Sequence, residues 1–251
     1  MTQRAGRGSR RIIGPDVIIQ LTDASLLLVT QPDHAALSAH IMRRWRDRGF
    51  ATHPRRESIL LAVQEHDNGW QEVDAAPIVD TSSGRLMDFM NAPAALKRAI
   101  WPRGVGRLSH DPWAAALVAQ HALHVYRHYR GAVEWDAFFA ELESTRDGHL
   151  RRAIGRTLHD LVTDYFFVRM GDLLSLTFCN GWQEAPEQQD YAIRLEESRL
   201  IIRPDPFAGE VVPFFVRARE LPNAPFQSQV DAVRVFDAAP SRQLQGVAAG
   251  A

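Results

Sequence analysis

The side chains best suited to chemistry in this chain are histidines and aspartates that recur on the inward faces of separate amphipathic segments. His34 falls on the stripe of Leu37, Ile41 and Trp45, and His66 on that of Ile59, Val63 and Trp70. His121 shares a stripe with Ala114, Leu117, His124 and His128, while Asp172 continues a line through Ile154, Leu158, Leu161 and Tyr165. Spacings of three and four place such residues on one side of a helix, the side a globular protein buries. Three helices thus aim a histidine inward and a fourth aims an aspartate. A buried imidazole or carboxylate needs a partner, and a shared divalent cation satisfies several at once.

Composition narrows the chemistry to this type of site. Ten histidines stand against one cysteine, Cys179, so thiolate zinc sites, iron–sulfur clusters and disulfide scaffolds are excluded. Cys179 reads as a small core residue. Lys and Arg (29) balance Asp and Glu (30), which gives no general field for nucleic acid or an anionic membrane. No apolar run approaches the roughly 18 residues of a membrane span. Arg4, Arg7, Arg10 and Arg11 make a basic tail, expected to be disordered over residues 1–14 of a cytoplasmic protein.

The elements that must hold these residues are mostly helical. Thr30-Gln31-Pro32-Asp33 is a start signal for a helix running to about Arg46. A second helix spans about Arg56 to His66 and ends at Asn68-Gly69, residues that tolerate the left-handed conformation of helix ends. His66 and Asp67 can meet one ligand only where that helix frays, because successive helical side chains diverge by about 100°. The stretch from Gln71 to Met90 reads as an ordered surface loop, and a short helix covers about Pro93 to Ile100. Asp111-Pro112 starts a helix to about Tyr129, a shorter one lies near Trp135 to Glu143, and a long one runs from about Leu150 to Phe178. Val17–Leu21 and Leu26–Val29 form a hairpin; strands recur at 191–195, 200–203 and 211–219, and Asp231 to Phe236 is open between strand and helix. The expectation is a mainly α protein (α+β overall), with a small antiparallel sheet from the N-terminal hairpin and C-terminal strands. It forms one domain over residues 15–240, with a β appendage at 188–238 and a frayed C-terminus at 241–251.

The order of a lone His, the pair His66-Asp67, a middle His and a distant Asp resembles the HD-domain superfamily of metal-dependent phosphohydrolases, which are helical bundles. His66-Asp67-Asn68-Gly69 is similar to that superfamily's H-D-x-G string. The strings Thr30–His34, Glu65–Trp70, Asp74–Pro77 and Asp172–Leu176 resemble more closely a bacterial domain-of-unknown-function family, over Val17 to about Pro240. The resemblance implies His34, His66, Asp67 and Asp172 as ligands of a divalent metal, whether Mn, Fe, Mg or Zn. It places His121 toward a phosphate or a second metal. Trp70 stands where many HD domains carry a lysine; it would stack on a substrate ring, beside His124, or cap the core. Glu65 and Asp74 would stand behind the ligands or belong to a solvated loop.

Two His and two Asp around a divalent ion leave positions for water and a phosphoryl oxygen. The expected activity is therefore hydrolysis of a small-molecule phosphate ester, nucleotide-like or not. Asp67 would orient the water, and His121 would bond the phosphate or protonate the leaving group. Two other classes fit the same residues. One is a di-iron oxygenase using His121 and His124; the other is a non-catalytic metal- or ligand-binding module. His40, His53, His110, His149 and His159 are read as surface residues.

Overall fold

The structure is a computed structural model describing residues 15–251 apart from Val17, Asp23, Ala24, Ala76, Thr81, Met90, Asn91 and the segment 186–189. The expected tail at 1–14 lies outside the described residues. In chain order the elements are β1 (Pro15–Asp16), β2 (Ile18–Leu21), β3 (Ser25–Val29), α1 (Gln31–Met42) and α2 (Arg56–Glu65). Then come α3 (Gln71–Asp74), β4 (Val79–Asp80), β5 (Arg85–Leu86), β6 (Asp88–Phe89), α4 (Ala94–Arg107) and α5 (Pro112–Val125). The C-terminal half holds α6 (Val133–Arg152), α7 (Leu158–Asn180), β7 (Ala192–Glu196), β8 (Arg199–Arg203), β9 (Val212–Pro222), α8 (Gln229–Ala238) and β10 (Ser241–Gly250).

Of the helices that position the candidate residues, α1, α5 and α7 begin where the sequence supplies a cap, whereas α2 follows Arg55 without a side-chain cap. Thr30 accepts from the Asp33 amide at the start of α1, with Pro32 in the first turn. Asp111 accepts from the amides of Trp113 and Ala114 at the start of α5. A reciprocal pair of Thr157 and Asp160 opens α7, and Gly181 closes it in the left-handed region at φ 66°. The long α7 packs on α1, α2 and α5, and it places Leu161, Val168 and Leu174 in full burial. Each such side chain contributes about 1.5–3 kcal/mol relative to exposure.

Beside the bundle lies a six-stranded sheet in the order β2-β3-β9-β10-β8-β7. The N-terminal hairpin and the C-terminal strands do share this sheet, but β10 runs parallel to β8, so it is mixed and not purely antiparallel. The expected fraying at 241–251 is overturned: Ser241–Gly250 is an interior strand between β9 and β8. Its small residues are a packing requirement. A Cβ on Gly246 would come within 2.7 Å of the Phe178 and Phe214 rings, and Ala248 and Ala249 are buried.

The expected helix from Leu150 is also overturned. The preceding helix, α6, extends to Arg152, and Gly155 at φ 73° turns the chain before the Thr157 cap. Ile154 is consequently 91% exposed and Leu158 44%, although both lie on the apparent line to Asp172. Asp231–Phe236 belongs to a helix, α8, and the loop at 71–90 contains α3, the β4–β5 pair and β6, which pairs with β1. No helix among the described residues is long and apolar enough to cross a membrane.

Candidate metal centre

His34 lies in the first turns of α1, His66 follows the last residue of α2, and Asp172 sits midway along α7. The two imidazoles are buried, whereas the carboxylates of Asp67 and Asp172 keep 11% and 18% of their side-chain surface exposed. One ligand atom from each of His34, His66, Asp67 and Asp172 lies within 4.8 Å of all the others. His34 Nε2 and His66 Nε2 are 3.0 Å apart; each is 3.3 Å from Asp67 Oδ2 and 3.5 Å from Asp172 Oδ1.

The far side of each ring fixes what faces the centre. His66 Nδ1 lies 2.7 Å from the Val63 carbonyl, which can only accept, so Nδ1 carries a proton. His34 Nδ1 lies 2.8 Å from Ser175 Oγ, whose own proton goes to the His34 carbonyl, also at 2.8 Å. Ser175 must therefore accept from His34 Nδ1–H. With both Nδ1 atoms protonated, the neutral rings turn two Nε2 lone pairs toward each other at 3.0 Å, flanked by two carboxylates. That arrangement demands positive charge between the rings, and the donor set of two imidazoles and two carboxylates suits a divalent cation.

Electrostatics points the same way. Burial opposes charge on His66, yet Asp67 and Asp172 raise its pKa well above the usual imidazole value. Burial also opposes the charge on Asp67 and Asp172, but the imidazoles hold both carboxyls below their ordinary range. The ion-free cluster thus retains a proton, which one divalent cation would displace while neutralising both carboxylates.

The turn after His66 makes adjacent ligands possible. Asp67 leaves helical geometry at φ −112°, ψ 18°, and its carboxylate swings to the point its neighbour faces. Neither Asn68 nor Gly69 has positive φ; they enter a 3₁₀ turn, Asn68–Trp70. Glycine is needed at 69 because α4 packs on its backbone: a Cβ there would lie 2.3 Å from the Ile100 carbonyl oxygen. Arg103 and Arg107 of α4 donate to the Gly69 and Asn68 carbonyls and clamp the turn.

The remaining candidates separate by position. His121 is buried beside the cluster, its Nε2 3.8 Å from Asp172 Oδ2 and its ring edge-on to His66. Burial, opposed by Asp172, pushes its pKa down to about 4. His124 is half-buried against the Tyr165 ring; burial, then Arg169 and Arg127, takes it down to about 4 as well. Trp70 is a core residue, 2% exposed, the second of the two roles its position allowed. Asp74 accepts from the Gln31 amide at 2.5 Å, so it anchors the start of the helix that carries His34. Glu65 meets Gln64 at 3.4 Å and none of the four ligands. His53 is not a surface residue: it lies 3.3 Å from Asp164, which is fully buried and also bound by Arg55 and Trp113.

Ser175 and Tyr165 back the centre without being among the residues expected from the sequence. Ser175 stands three residues beyond Asp172, on the same face of α7, and that spacing was the available signal. Tyr165 belongs to the Asp172 line, where its ring hides a hydroxyl 3.0 Å from His121 Nδ1.

The sequence matches, over residues 17–223, the model of a family described as a protein of unknown function, DUF3891. The chain belongs to this family. All four ligand candidates fall within the matched span. No curated protein matches the chain, and no solved structure does.

Proposed function

We propose that this protein is a metal-dependent hydrolase of the HD type acting on a small-molecule phosphate ester. The observation that carries the reading is the pair of Nε2 atoms held 3.0 Å apart beside two carboxylates. His34, His66, Asp67 and Asp172 would hold a divalent cation, which when bound supplies Lewis acidity toward a phosphoryl oxygen and acidifies a water.

The chain's own groups divide the remaining work. The imidazoles are sealed from solvent while the carboxylates are not, so substrate and water approach on the aspartate side. Asp67 Oδ1 has no protein hydrogen-bond partner among the described residues, and it is free to accept a proton from, and orient, the attacking water. His121, beside Asp172, bonds a substrate oxygen on the neighbouring side. The resemblance of the H…HD…H…D order to HD phosphohydrolases supports phosphoester chemistry over other hydrolyses.

The test is metal analysis of the purified protein and of His66→Ala and Asp67→Ala, followed by a phosphoester panel with the metal found. One ion per chain, lost in both variants, together with turnover that needs the ion, is expected. Absence of stoichiometric metal, or uptake unchanged in both variants, overturns the reading. A held metal with no turnover on the panel selects the binding module instead.

A further inference from the structure

We infer that Tyr165 is a positioning residue that fixes His121 as an Nε2–H hydrogen-bond donor, outside the ligand set of the metal centre. Tyr165 and His121 are both buried, and the Tyr165 hydroxyl lies 3.0 Å from His121 Nδ1. A buried hydroxyl gives its proton to an acceptor where one is in reach. For Tyr165, His121 Nδ1 is that acceptor, since no other lies within hydrogen-bond distance among the described residues. Accepting that proton requires an unprotonated Nδ1, and a neutral imidazole then carries its hydrogen on Nε2.

The ring cannot turn easily to another arrangement. It is edge-on to His66, with centroids 4.9 Å apart, and lies against Trp101 at 5.8 Å. Its Nε2 faces Asp172 Oδ2 across 3.8 Å, too far for that carboxylate to take up the donor. The N–H therefore stays available to an oxygen that enters beside the carboxylates. A protonated Nε2 has no lone pair for a metal, which separates His121 from His34 and His66, whose Nε2 atoms face each other at 3.0 Å and would be bared when an ion displaces the proton the cluster holds. The tautomer follows from the hydrogen bond alone; the use of the donor toward a substrate oxygen rests on the hydrolase reading.

The test uses the full chain with ¹⁵N-labelled histidine, saturated with zinc, and long-range ¹H–¹⁵N spectra assigned with His121→Gln. The expected result is a single His121 tautomer, Nε2 protonated and Nδ1 bare, with loss of that single tautomer in Tyr165→Phe. Zinc affinity in His121→Gln should stay within threefold of the wild type. A wild-type Nδ1–H signal overturns the inference, as does a Tyr165→Phe spectrum identical to the wild type. A tenfold loss of zinc affinity in His121→Gln overturns the exclusion from the ligand set. Should Tyr165→Phe fail to fold, the wild-type spectrum and His121→Gln decide. If the chain takes up no zinc, the spectrum of the ion-free chain still decides the tautomer, and the hydrolase reading falls only if no divalent metal is held.

Discussion

Replacing Ser175 by alanine removes one hydroxyl from the wall behind His34, and the consequence for metal binding can be worked from four distances. Ser175 Oγ accepts from His34 Nδ1–H at 2.8 Å and donates to the His34 carbonyl at 2.8 Å. The carbonyl keeps another donor, Ser38 Oγ at 3.1 Å, so the group left stranded is the ring N–H. A stranded buried donor costs about 1–3 kcal/mol. The ring can escape this cost by moving its proton to Nε2, where Asp67 Oδ2 waits at 3.3 Å. That escape consumes the lone pair a metal needs. Loss of such an outer partner lowers metal affinity by about 10–100-fold, or about 1.4–2.7 kcal/mol. Ser38→Ala is the matched control, because it removes a buried hydroxyl from the same residue's carbonyl and leaves the ring untouched. Competition against a chromophoric chelator should show the loss in Ser175→Ala and an affinity within twofold of wild type in Ser38→Ala. The reasoning is refuted if Ser175→Ala also binds within twofold, or if the control loses as much.

Other consequences can be checked on the same protein. Because the pKa of His66 is raised in the ion-free chain, metal uptake near neutral pH must expel its proton, and affinity should rise by up to about tenfold per pH unit until that raised pKa is passed. Chelator competition across pH 6–9 measures the slope, and a flat profile contradicts it. A raised folded pKa stabilises below the unfolded value of about 6.5 and loses that contribution as pH climbs through the folded value. The ion-free melting temperature should therefore drop on the alkaline side, and saturating metal should abolish the drop; calorimetry with and without chelator decides. Gly69→Ala drives a Cβ to 2.3 Å from the Ile100 carbonyl oxygen. It should cost at least about 1–3 kcal/mol in urea titrations and weaken metal binding as the turn shifts. Asp164→Ala strands Arg55 and His53 and should cost about 3–5 kcal/mol, while folded material still binds one ion.

His34 and His66 were legible because a residue on a stripe with Leu37 and Ile41, or with Ile59 and Val63, has nowhere to go but the core; spacing did not separate His121 from His124 and His128, which share its stripe but lie toward or beyond the surface end of α5. The junction before α7 was not legible, because Ile154 and Leu158 fall by coincidence on the line of Leu161 and Tyr165. Periodicity carried the helix across a real break. Gly155 and the Thr157–Asp160 pair were the local signals that outranked it. The C-terminal strand failed for the opposite reason. Alanine and glycine have weak β-propensity, but in the middle of this sheet small residues make room for the Phe178 and Phe214 rings. Gly69 shows a further ambiguity: a glycine needed for positive φ and one needed for close approach look alike until the neighbouring helix is placed.

The centre itself was legible as a set of residues but not as a set of protonation states, and the difference lies in which partners are local. His66 finds its Nδ1 acceptor three residues back in its own helix, at Val63, so the proper tautomer is available as soon as α2 forms. His34 finds its acceptor 141 residues away, and only the docking of α7 on α1 delivers Ser175. The same docking brings Asp172 to within 3.5 Å of both rings. The proposed metal site is therefore completed by a tertiary contact and not by the His66-Asp67 turn alone, and a bound ion would stabilise the α1–α7 interface with the logarithm of its affinity. Hydrogen exchange should accordingly show the middle of α7 gaining protection with metal in the wild type, and gaining less in Ser175→Ala.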